Sequence, residues 1–334
     1  MSDVALVTGG AGFIGSHLVS DLLAQGVEVR VLDDLSRGST ANLAAAGAAG
    51  CELVEVSVCD DAAVHRAVKG ARWIYHLAAI PSVVESVTQP ARTNAINVEG
   101  TLHVLDAARA CGVERVVFAA SCAAYGDDPE IPKREDMGLR PTSPYALQKI
   151  TCENYCRLYS SLYGLDAVAL RFFNVYGPRQ DPYSDYAAVV PRFVLAAVRD
   201  EAVRVYGDGE QTRDFVHVAD VARACRLAAQ ANDVAGEVFN VACGRAISIN
   251  ELVAGVGGSV GRSLDVERLP ERVGEVRHSV ADISKTASEL GFEAEIGLKE
   301  GLRRTVESFA ADDVSVAGGL AERIMHANQG RKAR

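Results

Sequence analysis

Five stretches in the first 121 residues are apolar almost without interruption: VALVT (4–8), VEVRVLD (27–33), ELVEVSV (52–58), WIYHLA (73–78) and ERVVFAAS (114–121). Each has the length of a strand. Between them lie FIGSHLVSDLLAQG, DAAVHRAVKG and NVEGTLHVLDAARACG, whose apolar residues recur at helical spacing and which end at glycine. Near-continuous apolar strands separated by helices predict a parallel sheet covered on both faces, the doubly wound, Rossmann-like α/β architecture. The pattern goes on with SPYALQKITCENYCRLYSSLYG as a long helix and LDAVALRFFNVYG as one buried strand. After Gly177 it changes to segments punctuated by proline and glycine, PRQDPYSDYAAVVP and YGDGEQTRDFVHV, mixed with short helices. The expected organisation is therefore a Rossmann-like domain over 1–175 that receives elements from later in the chain, a smaller lobe over 176–315, and a polar tail over 316–334.

Composition narrows the functional classes. With 334 residues, 49% hydrophobic and 23% charged, the chain has enough apolar material for one large domain or two intimate ones. The formal net charge is −10 and no basic run interleaves with aromatics, which argues against nucleic acid as a partner. The start MSDVALVTGGAGF has no charged leader followed by a long apolar segment, and no window holds about 18 consecutive apolar residues, so a cytoplasmic protein without a membrane partner is expected. Eight cysteines occur without a CxxC pair or a Cys/His cluster. They read as reduced thiols used as small apolar residues, with no disulfide and no structural metal.

The first candidate chemistry lies where VALVT runs into GGAGFIGSH. Gly9, Gly12 and Gly15 leave a predicted strand and open a predicted helix. In that context glycines allow a tight turn, close backbone approach and a diphosphate at a helix N-terminus. Asp33, 18 residues beyond Gly15, ends the second strand, where a carboxylate accepts the hydroxyls of an adenosine ribose and repels a 2′-phosphate. Asp34 follows it. Arg37 argues the reverse, since it is able to pair with such a phosphate, but it has to override Asp33; the expected cofactor is NAD.

The second lies in SPYALQK. Tyr145 and Lys149 stand four apart on a helix and so point into one region. A free phenol has a pKa of about 10, so a base near pH 7 needs a shift of ~3 units, or ~4 kcal/mol. A cation about 4 Å away at an effective dielectric near 20 supplies ~4 kcal/mol. Ser121 ends the strand VVFAAS, at the carboxyl edge where sheet proteins place ligands. By itself a YxxxK pair is a solvated helix face; its combination with the glycine loop, Asp33 and Ser121 in one chain makes it candidate catalytic machinery.

The set TGGAGFIG, LDD, HLAA, SCAAYG and YxxxK resembles the extended short-chain dehydrogenase/reductase superfamily. Downstream, LRFFNVYGPRQDPYSDYAAVVPRFV, YGDGEQTRDFVHVAD and RVGEVRHSVADISKTASELGF resemble its nucleotide-sugar branch, most closely bacterial UDP-N-acetylglucosamine 4-epimerases, over roughly residues 3–310. The resemblance implies that Tyr145 is the catalytic base, that Lys149 anchors the nicotinamide ribose and lowers the phenol pKa, and that Ser121 binds the reacting hydroxyl. It implies a cofactor side formed by the glycine loop with Phe13 and Ile14, by Asp33 and Asp34, by Ser57 and Val58, by Leu77, Ala78 and Ala79, and by Asn97. Asn174, Arg213 and Arg272 fall on positions that contact the sugar nucleotide, the two arginines reaching its diphosphate. Ser279 matches the position that limits room beside the sugar C2 substituent, and a small residue there admits an acetamido group. A homodimer is implied, through helices near 93–111 and 143–163.

The implied reaction is C4 epimerisation of UDP-N-acetylglucosamine and UDP-N-acetylgalactosamine through a transient 4-keto sugar. UDP-glucose and UDP-glucuronate are the alternative substrates. A 4,6-dehydratase is disfavoured, because Cys122 and Ala123 follow Ser121 where that branch carries an Asp-Glu pair. A non-catalytic NAD-binding regulator is the rival of another class. The chain also departs from the family pattern: Ser57 replaces an aspartate near the adenine, Phe172 a tyrosine, and Ala120 and Ala123 hydroxyl residues beside Ser121.

Overall fold

The computed structural model describes residues 3–44, 51–183, 187–271 and 276–313. They form two compact units. The first comprises the described residues up to Phe173 with Ala219–Val241 and Ala281–Glu293; the second comprises Asn174–Val218, Ala242–Val280 and the described residues from Ala294.

The first unit is built on seven parallel strands. In chain order these are β1 (Val4–Thr8), β2 (Glu28–Asp33), β3 (Glu52–Glu55), β4 (Trp73–His76), β5 (Arg115–Ser121), β6 (Asp166–Phe172) and, much later in the chain, the strand Val238–Val241, which pairs with β6. The spatial order runs from Val238–Val241 through β6, β5, β4, β1 and β2 to β3. The chain moves outward from β1 to β3, then returns to the other side of β1 as β4. The order therefore reverses between β1 and β4, which in open α/β sheets is where ligands bind. This is the expected doubly wound sheet.

Its helices cover the faces for the reason the periodicity predicts. α1 (Phe13–Ala24) buries Leu18, Val19 and Leu22; α2 (Asp61–Val68) buries Val64, Ala67 and Val68. α3 (Val83–Thr88) and α4 (Pro90–Asn94) lead into a π-helical turn, Ala95–Glu99, which continues as α5 (Gly100–Cys111). α6 (Pro144–Tyr163) ends at Gly164 in the left-handed conformation. Leu6, Ile74, Val104, Leu105, Val116, Phe118 and Cys152 form the centre of one apolar core.

Three strand expectations are corrected. The stretch 52–58 is a strand only to Glu55, because its single neighbour β2 stops at Asp33, the partner of Glu55, so Ser57 and Val58 lie beyond the ladder. Likewise Leu77 and Ala78 lie past the end of β4. The stretch 165–177 is two strands: β6 ends at Phe172, and β7 (Asn174–Tyr176) pairs with β10 (Phe215–His217) in a different sheet. Phe173 marks the change, its amide still donating to Val241.

In the second unit, β8 (Val203–Tyr206) pairs in parallel with Val266–Leu269, and β9 (Thr212–Arg213) antiparallel with Ile247–Ser248. Phe193, Val194, Leu252, Val256, Leu302 and Val306 sit at its core.

Candidate active site

At the carboxyl end of β1 the chain turns at Gly9, whose φ of +68° is a left-handed conformation and whose added Cβ would lie 2.8 Å from the Ala78 nitrogen. A Cβ on Gly15 would lie 2.1 Å from the Gly9 carbonyl oxygen. Neither position accepts a side chain. Gly12 caps α1 without any side-chain hydrogen bond, so among the described residues nothing caps the first-turn amides, those of Phe13 and Ile14 included. Asp33 closes the cradle: its carboxylate accepts from the amides of Ala11 and Leu35, both at 2.9 Å. Burial raises its pKa, and the two amide bonds act against that rise. Asp34 has a different job, being exposed and accepting from the amide and hydroxyl of Ser36 in a local turn. A bare helix start, a backbone cradle that Cβ atoms would fill and a buried carboxylate at the end of β2 fit a dinucleotide with a free ribose diol.

The neighbouring strand ends complete this side. The Leu77 amide donates to the Thr8 carbonyl, and the Ala78 amide to Thr8 Oγ1 at 3.2 Å. Ala79 is half-buried. Val58 is buried and sits where a Cβ on Gly100 would meet it, whereas Ser57 accepts from the Cys59 amide.

The tyrosine and lysine are on α6, and the start of that helix is held at every available donor. Pro144 has no N–H, the Tyr145 amide donates to Ser86 Oγ at 3.0 Å, and the Ala146 amide donates to Ser143 Oγ at 3.2 Å. Tyr145 and Lys149 are both buried. Ser121 ends β5, where its Oγ accepts from the Ala123 amide. Burial pushes the Tyr145 phenol up to about 12; a hydrogen bond with Ser121 lowers it without overcoming the rise. Lys149 sends Nζ to the Ala119 carbonyl at 2.7 Å and lies 5.9 Å from the centre of the Tyr145 ring. The expectation that the lysine alone lowers the phenol is thus not met by this geometry, because loss of water around both groups outweighs a cation directed at a backbone oxygen.

Burial also pulls Lys149 down to about 8, against the opposing influence of Cys152 and Glu153. In an unfolded chain the same amine keeps its proton to about 10.4. Between those values the unfolded state binds more protons, so stability at this position rises with pH and the penalty is fully present only below pH 8. Relative to Lys149→Met, the wild type is expected to gain about 2–3 °C in Tm between pH 7.5 and 10 in scanning calorimetry; a difference constant with pH would contradict it.

Asn97 sits in the π-helical turn and is buried. Its Oδ1 accepts from the Ile80 amide at 2.7 Å, and its Nδ2 donates to the Ile80 carbonyl and to Gln148 Oε1. It therefore ties the segment after β4 to α6, and its side-chain amide acts through Ile80 and Gln148. Its carbonyl, shifted by the π turn, accepts from Thr101 Oγ1 at 2.6 Å and from the Cys152 thiol.

His76, at the end of β4, joins the two ends of this assembly. Nδ1 pairs with Thr8 Oγ1 at 2.7 Å and Nε2 with Thr101 Oγ1 at 2.9 Å. Burial lowers its pKa to about 3, so the ring is neutral. Thr101 gives its proton to Asn97, so Nε2 must donate to Thr101, and Nδ1 must accept from Thr8. Sequence reasoning missed these supports. HLAA drew attention for its alanines, and a histidine in an apolar strand or a serine such as Ser86 carries no local signal of a partner far along the chain.

The remaining candidates are in the second unit. Asn174 opens β7, its amide donating to the Asp214 carbonyl; its buried Oδ1 has no hydrogen-bond partner among the described residues. Arg213 donates to the carbonyls of Thr212 and Arg277, and the Ser279 amide donates to Thr212, so these two candidates share one neighbour. Arg272 lies outside the described residues.

Comparison with known proteins adds the following. A sequence model described as "Epimerase: NAD dependent epimerase/dehydratase family" matches residues 5–242. A UDP-glucose 4-epimerase of Mycolicibacterium smegmatis is 41% identical over 308 residues, covering 91% of this chain and 97% of that protein. Among solved structures, a UDP-N-acetylglucosamine 4-epimerase from Methanobrevibacter ruminantium in complex with UDP-N-acetylmuramic acid superposes with a TM-score of 0.89 at 39% identity, covering 93% of this chain and 100% of the other. A UDP-glucose 4-epimerase from Thermus thermophilus in complex with NAD gives 0.83 at 38% identity, covering 92% and 98%.

Proposed function

The chain belongs to the NAD dependent epimerase/dehydratase family, and on that premise we propose that it inverts C4 of a UDP-hexose, with UDP-N-acetylglucosamine and UDP-N-acetylgalactosamine as its substrate pair. The observation that carries the reading is the gathering of Tyr145, Ser121 and Lys149 behind the end of β5, in the same unit as the glycine cradle and Asp33. Gly9, Gly12, Gly15 and the first turn of α1 hold the cofactor diphosphate, and Asp33 holds the adenosine ribose. NAD, when bound, supplies a hydride acceptor and donor for C4 of the sugar.

The protein's own groups manage the proton and the position of the sugar. Tyr145 Oη takes the proton of the 4-hydroxyl and later returns one to the 4-keto oxygen; Ser121 Oγ hydrogen-bonds that oxygen; Lys149 would hold the nicotinamide ribose. In the second unit Asn174, Arg213 and Arg272 are assigned to the sugar nucleotide, the arginines to its diphosphate. The small side chain of Ser279 supports the acetylated substrate. The second reading is a UDP-glucose or UDP-glucuronate 4-epimerase, and its UDP-glucose form draws support from the similarity to the Mycolicibacterium UDP-glucose 4-epimerase. Side-by-side assays of the acetylated, plain and uronic UDP-sugars separate them: fastest turnover of both acetylated epimers is expected, and no turnover of either defeats the first reading.

A homodimer is part of the proposal. Leu147, Leu158 and Leu162 are exposed along α6, with Tyr163 beside them, an apolar stripe of the kind that a second copy covers. A monomer mass in solution scattering would remove it. No described helix is long and apolar enough to cross a membrane, and the eight cysteines are free thiols.

A further inference from the structure

We propose that Glu85 is a residue that sets cofactor selectivity: it engages Arg37 and so withholds from a 2′-phosphate the cation that would otherwise bind it. Arg37 is well placed for that phosphate, since it leaves the backbone four residues after Asp33. The loop carrying it is pinned to the cradle. A Cβ on the adjoining Gly38 would lie 2.9 Å from Asp33 Oδ1 and 2.8 Å from the Ala11 Cβ. The Ser39 amide and Asn42 Nδ2 both donate to the Ala11 carbonyl, at 3.0 and 2.9 Å. A half-exposed guanidinium at the rim of the ribose carboxylate is the group that accommodates a 2′-phosphate in dinucleotide-binding folds.

Here that guanidinium is taken. Glu85, on α3, is 6% exposed; one carboxylate oxygen accepts from Arg37 Nη2 and the other from Arg92 Nη1 at 2.6 Å. A carboxylate so poorly hydrated holds its partners more firmly than a surface pair does, and without it the two arginines would repel one another. Discrimination then has two parts. Asp33 repels a 2′-phosphate directly, and Glu85 removes its natural counter-charge. The inference concerns the nucleotide, so it stands or falls separately from the choice of sugar.

Binding of NAD⁺ and NADP⁺ to the nucleotide-stripped full-length protein, followed by titration calorimetry, tests it. Glu85→Gln is expected to raise NADP⁺ affinity about tenfold while leaving NAD⁺ affinity within about threefold, and Glu85→Gln/Arg37→Met to return NADP⁺ to the wild-type value. General damage to the fold would instead move both nucleotides together. A ratio of the two affinities that moves by less than about threefold, or a gain that persists without Arg37, overturns the proposal. Should Glu85→Gln not fold, the Asp33→Asn background decides: with Glu85 in place, adding Arg37→Met is expected to leave NADP⁺ affinity unchanged, and a loss of about fivefold or more overturns it.

Discussion

Replacing Tyr145 by phenylalanine is expected to lower kcat for epimerisation by roughly a thousandfold, within the range that a positioned acid-base group contributes, while NAD binding stays within about threefold. The substitution removes one oxygen. The ring stays in its buried seat, and the two bonds that start the helix, from the Tyr145 amide to Ser86 and from the Ala146 amide to Ser143, do not involve the phenol. A large fall in kcat with the cofactor still bound therefore isolates proton transfer from folding. Steady-state turnover of a UDP-sugar beside a nucleotide titration reads both quantities. Retention of more than about a tenth of the activity would take the base away from Tyr145. The same experiment bears on the rival regulator, which has no turnover to lose.

The pKa of about 12 makes the size of the task explicit. A phenol in that state is protonated near neutrality, so its ionisation has to be stabilised by charge within reach. Lys149, pulled down to about 8 and engaged by the Ala119 carbonyl, holds its ammonium less firmly than a surface lysine would. Each group is destabilised in its charged form by the same dry surroundings.

Replacing Arg171 by methionine is expected to destabilise the fold by about 3–5 kcal/mol, the largest stability effect we anticipate from a single residue here. Arg171 on β6 and Glu153 on α6 are 3% and 5% exposed and form a two-pronged pair, Nη2 to Oε2 at 2.8 Å and Nε to Oε1 at 3.1 Å. Nη1 also donates to the Tyr125 hydroxyl, which in turn donates to Asn240 Oδ1 on the outermost strand. The network thus links the long helix to two strands. Methionine fills the volume but abandons a buried carboxylate. Urea denaturation should show the loss, and Arg171→Met/Glu153→Leu should recover at least half of it, because the penalty arises mainly from the stranded charge. A single-variant effect below about 1 kcal/mol would mean that water reaches Glu153 freely.

Much of the first unit was legible because its signals are local. VALVT followed by GGAGFIG places a strand, a turn and a helix start within twelve residues, and Gly15 is required by the local turn itself, its Cβ position lying against the Gly9 carbonyl. Tyr145 and Lys149 stood out by their spacing only in combination with the glycine loop and Asp33, and Ser121 by its place at the end of an apolar run. What escaped depends on distant neighbours. Nothing in LRFFNVYG says that the sheet is left at Phe173, since apolarity continues into the next sheet without a break. The end of β3 at Glu55 follows from where β2 stops. The π-helical turn at Ala95–Glu99 looks, in sequence, like the rest of the helix, and its value lies in presenting the Asn97 carbonyl to Thr101 and Cys152. Arg37 was read as a rival to Asp33; its partner Glu85, 48 residues away, carries no local signal in the sequence.

Histidine is the side chain through which proteins ordinarily sense mild acidity, and one stands at the heart of this nucleotide-binding half. At His76 each ring nitrogen is occupied, one giving a proton and the other receiving one, so a second proton has nowhere to go without severing the link to Thr8. A change of pH between 5 and 8 leaves this ring neutral. Of the two buried bases in this unit, only Lys149, pulled down to about 8, answers to mildly alkaline pH, while His76 keeps the same two bonds.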